Sequence, residues 1–367
     1  MTHSLDLGGL GLHEGGHRLV RRALRAAPHG ASVRVTGTDP ALGVHLRAWC
    51  RAEGHAFGVA DDGGYDLVRS RAEEQRWAGS ERAGGPGPDA VVRHPPAHWG
   101  LAARGALVEA GGPAAPFDLA DRDVVWADLA PRLYAHAAAA QWDPATAVDW
   151  YAGGPPPPDV EAAVVQVMTY LVENEQAADE ARHVEVFTRR ALLHGGRMGS
   201  SSVGGRASLG TLLAEPDFSL ATFLLSVLGE GSFLSLLAFL DAHAPDPVTR
   251  QVTRLARVDE ARHVAFGVAH LQHQAGLDPT LRGRLRAAVE RRHDALADTA
   301  GLNADVFDAL VVLAAGAWAP DAIARGYRAV QDLHHAMDEG RRQRLTRLGF
   351  PDDEAAELSA LHTRNFM

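Results

Sequence analysis

The sequence predicts a mainly α-helical protein, a helical bundle preceded by a small N-terminal α/β two-layer domain. From Val160 onward, apolar residues recur at three- and four-residue steps almost without interruption, the pattern of helices with one buried face. Residues 1–75 instead mix short alternating runs with two helix-like segments. Gly/Pro-rich stretches separate the two regions, so the expected organisation is an α/β domain over 1–75, linker and loops over 76–121, and a helical domain over 122–367.

In the first region, "SLDLGGL" and "ASVRVTG" read as strands, and His17 to Ala27 and Pro40 to Ala52 as helices. "GGPGPD" (Gly84 to Asp89) and "GGPAAP" (Gly111 to Pro116) read as loops, and "GGPPPPD" (Gly153 to Asp159) ends one segment and opens the next helix. Two breaks interrupt the helical region, "HGGRMGSSSVGGRASLG" (His194 to Gly210) and "HAPDP" (His243 to Pro247). The run Phe218 to Leu240 is long enough to cross a bilayer. Its central Glu230 and acidic flanks, Asp217 and Asp241, favour a buried helix instead, so no membrane partner is expected.

Composition narrows the function. The formal charge of -10 argues against nucleic acid as the main partner. One cysteine, Cys50, excludes an internal disulfide framework and a thiolate-rich metal site, which fits a cytoplasmic protein. The N-terminus shows no basic segment followed by an apolar run, the mark of a secretory signal.

The pentapeptide Asp-Glu-Ala-Arg-His occurs twice, at Asp179 to His183 and at Asp259 to His263. In the second copy Glu260 and His263 share a helix stripe with Val252, Ala256 and Gly267, where apolar residues are expected. Glu230 lies in an apolar helix between Gly229 and Gly231. An isolated carboxylate there costs several kcal/mol or shifts its pKa unless compensated, and a metal ion would compensate it. A Glu followed on another helix by Glu-x-x-His, present twice, supplies four carboxylates and two imidazoles. That is the ligand set of a carboxylate-bridged di-iron or di-manganese site in a helix bundle, and hard oxygen donors with imidazole suit iron or manganese.

On these residues, the stretch from about Trp142 to Leu271 resembles the ferritin-like di-iron carboxylate superfamily, and in its Asp-Glu-x-Arg-His form the bacterial di-iron monooxygenases. The resemblance implies a ferritin-like bundle in which Glu230, Glu260 and His263 bind metal, with Glu175, Glu180 and His183 as counterparts. It also implies that Asp179 and Asp259 orient the imidazoles and that Arg182 and Arg262 pair with acidic groups nearby. The cofactor would be two iron ions, or iron and manganese.

The two halves differ in length. Glu230 and Glu260 are 30 residues apart, which fits a long antiparallel hairpin, whereas Glu175 and Glu180 are only 5 apart. If "ENEQAADEARH" is one continuous helix, Glu175 and Glu180 point about 140° apart at roughly 100° per residue and cannot share a centre. If the chain turns sharply through Gln176 to Asp179, both carboxylates stay near the metal level on neighbouring helices. The residues favour the continuous helix and an impaired first half, because no Gly or Pro marks a turn.

In the N-terminal region "HEGGH" (His13 to His17) matches the zinc-protease pattern, but that motif must lie on a helix, and two central glycines oppose one. The Gly-Leu before the first helix, the "APHGASVRV" turn into a strand and the "AWCRAEGHAF" ending resemble the sulfur-carrier (TusA-like) family. In that family a Cys-Pro pair starts the first helix. Leu12 and His13 stand there in this chain, which excludes sulfur relay from that position and leaves a binding or docking role.

The expected function is a di-iron or iron/manganese oxidoreductase that activates dioxygen to hydroxylate or N-oxygenate a small molecule. Its partners would be that substrate, dioxygen, and an electron donor or protein bound through the N-terminal domain. The alternative is a ferritin-like binding or scaffold protein with an impaired metal site.

Overall fold

The computed structural model describes residues 3–71, 77–85, 92, 96–99, 102–109, 141–173, 178–201, 203–297 and 304–365. The chain is mainly helical, with a small N-terminal sheet. It divides into two units, Met1–Ser80 with Phe307–Gln331, and Glu81–Val306 with Asp332–Met367.

The first unit begins with strand β1 (His3–Asp6), helix α1 (Gly16–Ala26), β2 (Ser32–Thr36), α2 (Leu42–Glu53), β3 (Ala56–Val59) and β4 (Tyr65–Val68). The sheet order is β1-β2-β4-β3, with β1 and β2 parallel and the other pairs antiparallel. Alternation in β2 buries Val33 and Val35; the apolar stripe of α1 (Leu19, Val20, Leu24) packs on β1 and β2, and that of α2 (Leu42, Leu46, Cys50) on β3. Leu12 to Glu14 form a 3₁₀ turn, and α1 starts only after Gly15. Gly15 has φ +95°, a left-handed conformation that suits glycine. His13 and His17 therefore do not share a helix, as a zinc-protease pair must. Burial pushes the Cys50 thiol up to about 11, so it stays protonated near neutral pH.

The sequence placed Phe307–Gln331 within the helical domain over 122–367, whereas its contacts group it with the first unit. Asp308 provides a physical reason. This buried carboxylate faces His17 Nε2 and accepts hydrogen bonds from Arg18 (2.9 Å) and Arg21 (2.8 Å). Burial alone would raise its pKa, but these partners hold it below the usual carboxylate range.

In the second unit, the stretch read as linker contains β5 (Glu81–Arg82) and β6 (Leu107–Val108), which join β7 (Ser200–Ser201) in a three-stranded sheet. Its residues 110–121 lie outside the described part. The helices are α3 (Pro144–Asp149), α4 (Pro158–Glu173), α5 (Ala178–Leu192), α6 (Val203–Leu213), α7 (Phe218–His243), α8 (Pro247–Leu277) and α9 (Leu281–Leu296). Then follow α10 (Ala304–Ala315), α11 (Pro320–Arg347) and α12 (Asp352–Asn365), of which α10 and α11 run across the division between the units. Helix α7 is long and apolar enough to cross a membrane, but more than half of its most apolar window is buried inside the protein.

The continuous helix favoured by the sequence through residues 170–190 is not what forms. Helices α4 and α5 pack against each other, and Arg190 on α5 reaches back to Glu161 on α4 with two hydrogen bonds of 2.8 and 2.9 Å. In a continuous helix those residues would stand about 44 Å apart at 1.5 Å per residue. The chain therefore changes direction between α4 and α5, whose packing on each other outweighs local helix propensity. Arg190 also donates to Asp246 (2.8 Å) and Thr249 (2.6 Å), tying α4 and α5 to the start of α8. Asp246 caps α8 by accepting from the Thr249 N–H at 2.8 Å, with Pro247 at the first helical position.

Candidate metal centre

The candidate centre lies where α5 packs against α8, which in turn packs along α7. Helix α7 is not uniform: residues Phe223–Glu230 are wound as a π-helix, which ends by presenting Glu230. Such widened turns concentrate at functional sites because they rotate a side chain out of the regular α register. Two close approaches accompany it. Any Cβ on Gly267 of α8 would come within 2.7 Å of Ser226 Cβ, and one on Gly231 within 2.4 Å of the Arg344 guanidinium. Arg344 in turn donates to the Val227 carbonyl at 2.7 Å, inside the widened stretch.

Glu230, Glu260 and His263 each offer a ligand atom within 4.8 Å of the other two. His263 Nδ1 stands 3.3 Å from Glu260 Oε2 and 4.0 Å from Glu230 Oε1. His183, fully buried on α5, joins from the other copy of the pentapeptide, with Nδ1 3.3 Å from Glu260 Oε1. The Glu260 carboxylate thus lies between two imidazoles, one facing each oxygen. Its Oε2 is buried and accepts no hydrogen bond among the described residues, an expensive state for a carboxylate oxygen unless a cation faces it.

Asp259 fixes His183. His183 Nε2 donates to Asp259 Oδ2 at 3.1 Å, which leaves Nδ1 with its lone pair toward Glu260. Two acceptors at that distance are compatible only with a proton or a metal ion between them. Asp259 also accepts from Trp142 (2.9 Å), Arg182 (2.8 Å) and Arg262. Burial by itself would raise the pKa of Asp259, but the hydrogen bonds from His183 and Trp142 and the two guanidinium groups hold it well below the usual carboxylate range. Trp142 stacks on the His183 ring, with centroids 6.1 Å apart, and Arg182 lies over the indole.

Of the residues singled out from the sequence, Glu230, Glu260, His263 and His183 come together, and beside them Arg182 and Arg262 meet the buried Asp259. Asp259 supports the histidine of the opposite copy, not its own. Glu175 lies outside the described residues. Glu180 and Asp179 fall on α5, but their side chains also lie outside. Sequence reasoning missed Trp142, the π-helix and Arg344. Only the Gly-Glu-Gly step at 229–231 hinted at an irregularity.

A cavity of about 40 Å³ adjoins Glu230, walled by Tyr170, Leu209, Leu224, Phe233, Arg292 and His362. That is more than the roughly 10–15 Å³ that one water needs. Burial pushes Arg292 down to about 10. Burial, with Arg341, Arg292 and Arg344 nearby, keeps the His362 imidazole neutral near pH 7.

No family model matches the chain, and a search of curated proteins finds no relative.

Proposed function

We propose that the second unit is a ferritin-like di-iron, or iron/manganese, oxidoreductase that activates dioxygen to hydroxylate or N-oxygenate a small molecule. The observation that carries this reading is the position of Glu260 between His183 and His263, with Glu230 completing the group. One carboxylate facing an imidazole on each side suits two adjacent cations better than one. The hard oxygen and imidazole donors fit iron or manganese. When bound, the metal pair supplies the binding and reduction of dioxygen.

The protein's own groups do the rest. Glu230, Glu260, His183 and His263 hold the ions, and Glu175 and Glu180 are proposed to complete the set across the α4/α5 reversal. Asp259, kept anionic by its partners, holds His183 in the tautomer whose Nδ1 can ligate. The apolar wall of the cavity next to Glu230 limits water and favours a small, largely apolar guest. Hydroxylation consumes reducing equivalents, so an electron donor is required. The first unit, with Leu12 where sulfur carriers have their cysteine, is proposed to dock that donor or another protein partner.

Metal analysis of the full chain purified after iron supplementation tests the proposal. The expected result is about two iron ions per chain, and about none in Glu260→Ala. Protein free of iron, with unchanged helicity, would favour the scaffold reading instead.

A further inference from the structure

We propose that His13, Asp39 and His45 form a separate mononuclear site for a divalent transition metal ion, of the zinc class, in the first unit. Each of the three offers a ligand atom within 4.8 Å of the other two. They come from three places in the chain: the 3₁₀ turn before α1, the loop after β2, and the first turn of α2. The His13 and His45 rings meet edge to face, with centroids 5.2 Å apart.

Three further features distinguish this cluster from a chance meeting of surface groups. Asp39 Oδ1 accepts from the Ala41 N–H at 3.0 Å, which fixes the carboxylate. Its Oδ2 is left buried without a hydrogen-bond partner among the described residues, and so is His45 Nδ1. Two buried polar atoms of the cluster are therefore left uncompensated, a situation that a cation relieves. The third feature is Gly11. Any Cβ there would come within 2.7 Å of His13 Cε1 and 3.2 Å of Asp39 Oδ2, so the absence of a side chain is what lets imidazole and carboxylate close over the backbone.

Two imidazoles and one carboxylate select zinc and its first-row neighbours over magnesium and calcium, which prefer all-oxygen sites. Three protein ligands leave a fourth position on the exposed His13 side for water or an exogenous ligand. The site shares no residue with the Glu260 centre and stands whether or not that centre binds iron.

The test is calorimetric titration of chelator-treated full-length protein with Zn²⁺. A Glu260→Ala/His263→Ala background removes the other candidate centre. One zinc per chain is expected in that background. His13→Ala and His45→Ala should each weaken it by at least about 100-fold, since even the loss of a group that merely supports a ligand costs about 10- to 100-fold. Asp39→Asn keeps an oxygen for the Ala41 N–H, so the loop stays folded, and it too should weaken binding. If the double-variant background does not fold, the same substitutions in the wild-type chain should lower total zinc by one per chain. Binding unchanged by all three substitutions, or no zinc bound in a folded background, would overturn the proposal.

Discussion

The two hairpins of the helical unit carry the same pentapeptide at different heights. In the α7/α8 hairpin the connection falls at Ala244–Asp246, so Glu230 and Glu260 each sit about 14 residues from it, roughly 21 Å along their helices. In the α4/α5 hairpin the reversal between Glu173 and Ala178 lies beside the pentapeptide itself. The short hairpin thus reaches only as far as the level at which the long one carries Glu230, Glu260 and His263. Arg190, bonded to Glu161 at the base of the short hairpin and to Asp246 at the closed end of the long one, shows that the two run in opposite senses. About 25 residues can be missing from one half because they would lie beyond the site, not within it.

The strongest test of this comparison removes one glutamate from each hairpin. Glu260→Ala takes away the carboxylate between both imidazoles and is expected to abolish metal binding. Glu180→Ala should remove one ion or the pair, if the truncated hairpin contributes as proposed. Metal content per chain reads both. Full occupancy in Glu180→Ala would show that the short half only supports the site through His183.

Arg190→Ala should cost about 3 kcal/mol, because it leaves the buried Asp246 and the partly buried Glu161 without their cation. Urea denaturation measures this. A loss under 1 kcal/mol would mean that the hairpins are aligned by apolar packing alone.

Asp259→Asn probes the contact between the two pentapeptides and should cost about 1.5–3 kcal/mol, the range for hydrogen bonds to a charged group. Its pH signature follows from the direction of the shift. The pKa of Asp259 is lower in the folded protein than its ordinary value of 3.8, so its contribution is fully present above that value. It is lost as pH falls through the folded value. Wild-type stability should therefore drop below about pH 4 more steeply than that of Asp259→Asn. Parallel acid profiles would remove Asp259 from the account.

These tests bear on what the sequence could reveal. The helical class and the small sheet followed from periodicity, and the convergence of Glu230, Glu260 and His263 from polar residues on a stripe that ought to be apolar. The change of direction between α4 and α5 was not legible, because no Gly or Pro marks it and the two helices are held together by partners such as Arg190, distant in sequence. Trp142 and Arg344 were hidden for a related reason. Each acts across more than 100 residues, on Asp259 and on the Val227 carbonyl, and no local pattern encodes such a pairing.

The smallest expected effect concerns how α8 meets the widened turn of α7. At Gly267 a methyl group would come within 2.7 Å of Ser226 Cβ, one turn beyond His263. Overpacking of this kind costs about 1–3 kcal/mol, while exchanging a mid-helix glycine for alanine returns about 0.5–1 kcal/mol. Gly267→Ala should therefore lose only about 1 kcal/mol net, yet shift α8 enough to disturb His263 and lower metal affinity. Ser226→Gly removes the atom that is struck, so the double variant should recover affinity relative to Gly267→Ala. A double-mutant cycle on metal affinity measures the coupling. Independent effects at the two positions would show that the close approach of α8 to the π-helix does not set the position of His263.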